Sequence, residues 1–168
     1  YIVFLQLFET AAEAGGTGTG AASGYRAHTK LSETSGTGWA SVDGSNWQYF
    51  GWSAAALAWP GNGGAPLVVG GAYGDNNGGA YAGAVYVMLL SSSARDGSVA
   101  SVAKLSATHG GVAAAGLAIA AHDRWGASTA ALPDLDGDGA GELMVGSHGG
   151  HQYADILFLS SSSNGVAP

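Results

Sequence analysis

The sequence predicts an all-β protein in which short strands are joined by glycine-rich turns. Glycine accounts for 30 of the 168 residues, whereas lysine and arginine together number only five. Charged residues make up 10% of the chain, which is too few for the solvent-facing sides of long amphipathic helices. Short β-rich runs that contain or border glycine, such as LVVGG (67–71) and AVYVMLL (84–90), are typical of folds with many short strands.

The chain also repeats itself, and self-similarity of this kind indicates a repeat architecture. Four segments recur in the same order, each shifted by 70 to 76 residues. The pairs are KLSETSG (30–36) with KLSATHG (104–110), FGWSAA (50–55) with WGASTA (125–130), PLVVG (66–70) with ELMVG (142–146), and AVYVML (84–89) with ADILFL (154–159). Four ordered matches are hard to obtain by chance, so we expect two copies of one structural unit.

The repeat divides the chain into three parts. Residues 30–103 form the first repeat and residues 104–168 form the second. Residues 1–29 contain the run YIVFL, which matches the closing strand of a preceding repeat, and a loop rich in glycine and alanine. The alanine-rich stretch 112–121 has the composition of a short helix, although Gly116 and the position of the stretch within the repeat argue against one.

The second repeat contains the strongest chemical signal, the acidic loop DLDGDGAGE (134–142). Carboxylates fill loop positions 1, 3, 5 and 9, glycine at position 6 permits a sharp turn, and the carbonyl at position 7 adds an oxygen. This density of hard oxygen ligands suits Ca²⁺ better than Mg²⁺, which requires stricter octahedral geometry. The alternative is a solvated acidic turn without an ion. The predicted ligands are Asp134, Asp136, Asp138, Ala140 and Glu142.

Two comparisons limit this prediction. The loop is not an EF-hand, because position 12 is Val145 where that motif needs a bidentate glutamate. The corresponding loop of the first repeat, residues 58–66, has Ala58, Pro60 and Pro66 at positions 1, 3 and 9. Only Asn62 remains there as a candidate ligand, so we predict one Ca²⁺ per chain.

Taken together, these segments resemble the FG-GAP repeat of integrin α-subunits and of many microbial and algal surface proteins. Phe50-Gly51 and Trp125-Gly126 stand at the FG place, GGAY (70–73) stands at the GAP place, and GSH (146–148) is a more divergent copy. The resemblance implies a β-propeller, here about two four-stranded blades plus a leading strand. Because a closed propeller has at least about four blades, the ring would be incomplete, completed by other chains, or replaced by an open stack.

The resemblance also implies a non-catalytic extracellular protein with a structural or adhesive role, stabilised by Ca²⁺ at the cell surface. Its partners would be other copies of itself or further repeats, assembled head to tail into a filament or surface layer. The alternative is an accessory domain of a larger secreted protein or enzyme that binds carbohydrate or protein through aromatic residues such as Trp47 and Trp52. We expect most aromatic side chains around the first FG to fill the space between blades instead.

Composition argues against several other functions. The net charge is −7 and the five basic residues are scattered, which disfavours nucleic acid and anionic lipid as partners. No apolar run has the length needed to insert into a membrane. No G-x-S-x-G nucleophile motif occurs, and a general base at Asp43 or Asp123 beside His122 has only proximity in sequence to support it. We therefore expect no enzyme.

Three polar segments have weaker interpretations. His148 and His151 have the elements of a transition-metal site, but the intervening glycines favour a plain surface loop. The segment DNN (75–77) is a candidate second ion site, and a hydrogen-bonded turn is the favoured interpretation. The serine tracts suit either O-glycosylation or a polar loop, and no N-glycosylation sequon occurs. The serines concerned are Ser91, Ser92, Ser93, Ser160, Ser161, Ser162 and Ser163.

Overall fold

The computed structural model describes residues 2–5, 25–31, 49–60, 63, 65–91, 93 and 96–160. Nine β-strands and no helix occur in these ranges, which confirms the predicted all-β fold. Accordingly, this part of the chain has no helix with the length and hydropathy of a membrane span. All neighbouring strands pair in the antiparallel direction.

The strands form three sheets, each with its strands in chain order. A hairpin pairs β1 (Ile2–Leu5) with β2 (Tyr25–Thr29). The largest sheet has four strands: β3 (Ser53–Leu57), β4 (Leu67–Ala72), β5 (Ala84–Leu90) and β6 (Val99–Ser106). The third sheet has three strands: β7 (Ser128–Ala131), β8 (Leu143–His148) and β9 (Gln152–Leu157).

Burial explains why the strands differ in composition. β4 and β5 lie in the middle of the four-stranded sheet, and nearly all their residues are buried on both faces. Strands covered on both faces are apolar along their whole length, as LVVGGA and AVYVMLL are. In β9, exposed and half-buried residues alternate, which is the pattern of a strand with one face in water.

Glycines allow the four-stranded and three-stranded sheets to approach each other closely. Ser53 Oγ donates a hydrogen bond to the carbonyl of Gly126 at 2.8 Å, and Gly83 forms an isolated parallel bridge with Trp125. A Cβ at Gly71 would lie 2.1 Å from the Gly126 carbonyl oxygen, so a larger residue would force the sheets apart. One hydrophobic cluster extends across this joint, and its buried members include Val85, Val87, Trp125, Leu143 and Val145.

The sheets agree with part of the predicted repeat. The repeat matches β4 with β8 and β5 with β9, and both pairs are strands. β1 is the predicted leading strand, and it pairs with β2 as β5 pairs with β6. The boundary between 103 and 104 falls inside β6, so the sequence repeat and the sheets are out of phase.

The described part of the chain departs from the expected two complete blades in one respect. Its second large sheet has three strands instead of four. The described sheets do not close into a ring, which is one of the outcomes expected for fewer than four blades. Residues 112–121 contain turns and irregular backbone, so no helix forms there. Gly116 adopts a φ of +90°, a conformation that ends any helical path at this point.

Candidate metal site and buried polar networks

The acidic loop connects β7 to β8 as a hairpin, and Glu142 closes its base. The amide of Leu132 donates a hydrogen bond to the carbonyl of Glu142 at 2.8 Å. The amide of Leu135 donates to Glu142 Oε1 at 3.2 Å. Both the backbone and the side chain of Glu142 therefore hold the beginning of the loop against its end.

Asp134 organises the turn at the tip of the loop. Its Oδ1 accepts a hydrogen bond from the amide of Gly137 at 2.6 Å, and its Oδ2 accepts one from the amide of Gly139 at 2.8 Å. These two glycines have φ angles of +84° and +92°, which glycine adopts without steric strain. The alternation of aspartate and glycine thus serves two needs, because glycine turns the backbone and aspartate accepts its amides.

The three aspartates of the loop converge. Asp136 Oδ1 accepts from the amide of Asp138 at 3.1 Å, and Asp138 Oδ1 accepts from the amide of Ala140 at 2.7 Å. One carboxylate oxygen each from Asp134, Asp136 and Asp138 lies within 4.8 Å of the other two, and all three side chains are exposed. Carboxylates at such distances repel one another, and a hard divalent cation converts the repulsion into attraction.

The other two predicted ligands lie at the inner end of the loop. Ala140 and Glu142 are both fully buried, and Ala140 belongs to the main hydrophobic cluster. Glu142 is not part of the three-carboxylate group. Its Oε2 is buried and has no hydrogen-bond partner among the described residues. Because an unpartnered buried carboxylate oxygen is costly, the donor set of the loop fits a cation.

The corresponding hairpin of the first repeat lies beside the acidic loop. A Cβ at Gly139 would be 3.7 Å from Cγ of Pro60. Ala58 and Pro66 occupy the positions of Asp134 and Glu142, as the sequence indicates, and Asn62 lies outside the described residues. Of these two hairpins, the acidic one alone has a carboxylate cluster in the described part of the chain.

No protein-family model matches the chain. A search of curated proteins also finds no match. The chemistry of the acidic loop is therefore inferred from its residues and their geometry.

A second polar network surrounds Asp123, which precedes β7 and is fully buried. Its Oδ1 accepts hydrogen bonds from the amide of His151 at 3.1 Å and from Nδ1 of the same residue at 2.8 Å. Its Oδ2 accepts from the amide of Ala120 at 2.9 Å and from the hydroxyl of Tyr153 at 3.1 Å. Asp123 thus ties the loop before β7 to the turn between β8 and β9. His122, which the sequence offered as a histidine beside Asp123 in a candidate catalytic pair, instead stacks on Tyr81 with a centroid separation of 6.1 Å.

Hydrogen bonding sets the protonation state of this network. Burial raises the pKa of Asp123, but hydrogen bonds from Ala120, His151 and Tyr153 outweigh burial and hold that pKa below its ordinary value. Burial, followed by the hydrogen bond to Asp123, raises the pKa of Tyr153 above its ordinary value. The carboxylate is therefore ionised at neutral pH, and the tyrosine hydroxyl remains a donor.

We expect the Asp123 network to stabilise the fold at neutral pH and to lose this contribution in acid. The pKa of Asp123 in the folded state lies below its unfolded value of about 4. The stabilising contribution is therefore complete above about pH 4, and it declines as the pH falls through the folded-state pKa. Urea unfolding of the wild type and of Asp123→Asn, from neutral pH to about pH 3, measures the difference in their free energies of unfolding. The difference between the two proteins should shrink in acid, and a pH-independent difference would contradict the assignment.

A third network contains a buried ion pair that the sequence analysis did not identify. Lys104 Nζ lies 2.8 Å from Asp75 Oδ2, and neither side chain has exposed surface. The amide of Asn77 donates to Asp75 Oδ1 at 2.8 Å, and the hydroxyl of Tyr86 donates to Asp75 Oδ2 at 3.4 Å. The favoured hydrogen-bonded turn at 75–77 is therefore present. The repeated KLS motif marked the lysine and the DNN segment marked the aspartate, but no local pattern indicated that the two side chains pair.

The two histidines considered and disfavoured as a transition-metal site make separate contacts. His148 is exposed, and Arg124 Nη1 donates to its Nε2 at 3.4 Å. His151 is also exposed and donates to Asp123. The two do not belong to a group of three metal-ligating side chains in the described residues. The surface-loop interpretation of this segment agrees with their exposure.

The aromatic residues near the first FG divide into two environments. Trp59 is buried in the main hydrophobic cluster, as expected of a residue that fills the core. Trp52 is 61% exposed and Tyr49 is 53% exposed, so the expectation of core packing does not hold for these two. Trp47 lies outside the described residues.

The serine tracts are described in part. Ser93 and Ser160 are exposed, and Ser91 is half-buried with its hydroxyl 3.2 Å from that of Ser93. Ser92 and residues 161–163 lie outside the described residues. The exposed hydroxyls are accessible to modification, and O-glycosylation stays a prediction.

Proposed function

We propose that the chain is a non-catalytic, calcium-stabilised repeat unit of an extracellular structural or adhesive protein. One observation carries the proposal: three aspartates converge at the tip of the β7–β8 hairpin, and at its base Glu142 holds a buried oxygen without a partner. Ca²⁺ accepts roughly six to eight oxygen ligands in flexible geometry, which suits carboxylates and carbonyls from one short loop.

The alternative of a solvated acidic turn has less support from the loop's hydrogen bonds. The aspartates accept hydrogen bonds from four loop amides, which fix the carboxylates close together although they repel one another. At a separation of about 4 Å each such repulsion amounts to roughly 1 kcal/mol in water and more near a protein surface. A preformed carboxylate cluster reduces the ordering cost of binding an ion.

In this proposal the cation crosslinks the hairpin and neutralises its charge. The carboxylates of Asp134, Asp136 and Asp138 would hold the ion, together with the carbonyl of Ala140 and the carboxylate of Glu142. Ca²⁺ is favoured over Mg²⁺ because Mg²⁺ requires near-ideal octahedral geometry and retains several waters. One ion per chain follows, because the neighbouring hairpin has proline and alanine at the equivalent positions.

The FG-GAP pattern provides the structural context for the proposal. Phe50-Gly51 precedes β3 by one residue, and Trp125-Gly126 precedes β7 by one residue, at the joint between the sheets. The GAP segments end β4 and β8, and the acidic loop lies in the β7–β8 hairpin. These equivalent placements support an arrangement in which the two larger sheets are neighbouring propeller-type blades.

Head-to-tail assembly has its own structural support. β9 pairs only with β8 among the described residues, so its second edge presents unpaired backbone groups there. Such an edge accepts a strand from another copy or from a further repeat. Assembly through this edge would suit a filament or surface layer outside the cell.

We expect calcium to stabilise the wild-type protein measurably. With a Kd of about 10⁻⁴ M and about 1 mM Ca²⁺, the free energy of unfolding increases by about 1.4 kcal/mol. For a chain of this length that corresponds to a rise in Tm of about 3–6 °C. Thermal unfolding in calcium, in magnesium and in chelator measures the effect, and magnesium should give the smaller shift.

The variant Glu142→Gln distinguishes ion binding from a purely structural role, because it keeps the side-chain shape and the acceptor for Leu135. It should lose most of the calcium-dependent gain and be at least as stable as the wild type in chelator. Asp96→Asn is the control, since this exposed carboxylate lies outside the loop. Equal Tm values in calcium and chelator for the wild type would overturn the calcium proposal.

Sedimentation of the same samples tests head-to-tail assembly. A protein that is monomeric both in calcium and in chelator would contradict assembly.

A further inference from the structure

An aromatic cluster lies at the opposite end of β7 and β8 from the acidic loop. Tyr73 follows β4, and Tyr49 stacks on its ring with a centroid separation of 4.7 Å and an interplanar angle of 11°. Trp52 meets Tyr73 edge to face at 4.9 Å, and His148, at the end of β8, does so at 6.0 Å. We name these four residues the aromatic face.

The aromatic face is open to solvent. Its central ring, Tyr73, is half-buried, whereas Trp52 and Tyr49 are 61% and 53% exposed. Aromatic side chains carry a large apolar surface, and a group of them left in water marks an interaction site. Tyrosine and tryptophan also offer hydrogen-bonding groups, which suits a ligand with both apolar and polar surfaces.

Among the described residues, the same end of the molecule carries an exposed cation, and the acids next to it in sequence are buried. Arg124 is exposed and contacts His148. The two carboxylates nearest in sequence, Asp75 and Asp123, are fully buried and paired. The exposed aspartates of the acidic loop lie at the far end of the strands. Although the chain has a net charge of −7, the described residues at this end are complementary to an anion.

The backbone holds these side chains in unusual conformations. In the described residues, the non-glycine residues with positive φ are Tyr49, Tyr81, His122 and Arg124, with φ between +52° and +68°. Left-handed backbone conformations are strained for non-glycine residues, and clusters of them are typical of functional sites. The amide of Arg124 donates to the carbonyl of Tyr81 at 2.9 Å, which ties two of the four together. This hydrogen bond holds the backbone of Arg124 next to the aromatic face, where its side chain contacts His148.

We propose that the aromatic face binds an acidic oligosaccharide. A pyranose ring has a face of C–H bonds that packs on the negative face of an aromatic ring, and its hydroxyls remain free for polar contacts. A sugar carboxylate adds a charged group that the Arg124 guanidinium binds in bidentate geometry. The proposal narrows the carbohydrate alternative indicated by Trp52 and does not depend on calcium binding.

Calorimetry with a linear tetrasaccharide of galacturonic acid and with its carboxyl-reduced counterpart tests the proposal. The wild type should bind the acidic sugar more tightly than the reduced one. Trp52→Ala should weaken binding of both by at least about tenfold, because it removes a stacking surface. Arg124→Asn should weaken binding of the acidic sugar by about tenfold and leave the reduced sugar unchanged, and asparagine tolerates the positive φ.

Phe158→Ala is the matched control, since Phe158 is also 61% exposed and lies beyond β9, away from the aromatic face. It should leave binding unchanged. The proposal is overturned if the wild type fails to bind the acidic tetrasaccharide at millimolar concentration, or if Phe158→Ala weakens binding as much as Trp52→Ala does. It is also overturned if the aromatic face captures a protein and no saccharide. The calcium titration of the same variants stays unchanged in every case, so the two proposals fail independently.

Discussion

Replacing Lys104 with methionine is expected to lower the free energy of unfolding by about 3–5 kcal/mol, because it leaves the buried Asp75 carboxyl group without its cation. The lysine ammonium lies 2.8 Å from Asp75 Oδ2, and both side chains have no exposed surface. Hydrogen bonds from Asn77 and Tyr86 remain, but neither neutralises the charge. Urea unfolding followed by tryptophan fluorescence measures the loss as a shift of the midpoint.

Two further variants separate the ion pair from simple packing. The double variant Asp75→Leu with Lys104→Met removes both charges, and it should recover most of the lost stability, since well-packed apolar pairs often match buried ion pairs. Lys30→Met is the matched control, because Lys30 is the exposed equivalent of Lys104 in the repeated KLS motif. Its effect should lie within about 0.5 kcal/mol. A double variant as unstable as Lys104→Met alone would show that shape, not charge pairing, is decisive.

The strands that the sequence predicted share one property. β4 and β5 are runs of apolar and β-branched residues, and β8 and β9 recur as their repeat partners. The strands that it did not predict as such include β3, SAAAL, and β7, STAA. Alanine and serine have weak β propensity, so these strands form because the neighbouring strands supply their hydrogen-bond partners.

In the candidate site, contacts within one short loop could be predicted from the sequence, whereas contacts between distant segments could not. The convergence of Asp134, Asp136 and Asp138 could be predicted, because alternation within one short loop determines it. The contact between Asp123 and His151 could not, since it joins the loop before β7 to the β8–β9 turn. Such a contact depends on how the strands pair, and residue spacing alone does not encode that pairing.

The different burial of the two residues at the FG positions could likewise not be predicted from the sequence. Phe50 and Trp125 occupy equivalent places in the repeat, yet Phe50 is half-buried whereas Trp125 is fully buried. The difference comes from the joint between the sheets. Trp125 pairs with Gly83 and belongs to the main hydrophobic cluster, whereas Phe50 packs against Tyr86 in a smaller cluster. We therefore expect the same motif to contribute differently to the free energy of unfolding in the two units.

This difference leads to the second large expected effect. Trp125→Ala should lower the free energy of unfolding by about 3–5 kcal/mol, because it opens a cavity in the hydrophobic cluster shared by both sheets. It also removes the hydrogen bond from the indole Nε1 to Asp155 Oδ2 at 2.8 Å. Neighbouring backbone has little freedom to close the cavity, since a Cβ at Gly83 would already lie 2.1 Å from the Trp125 carbonyl oxygen.

Variants at the equivalent FG position and at the indole test the two causes separately. Phe50→Ala should cost clearly less, about 1–3 kcal/mol, because the Phe50 side chain is partly exposed and the smaller ring leaves a smaller cavity. Trp125→Phe keeps most of the ring but leaves Asp155 without its donor, which should cost about 1.5–3 kcal/mol. Chemical denaturation monitored by far-UV circular dichroism compares all three. If Phe50→Ala proved as damaging as Trp125→Ala, the joint at Trp125 would not be the main contact between the sheets, and the FG motif would stabilise each unit separately.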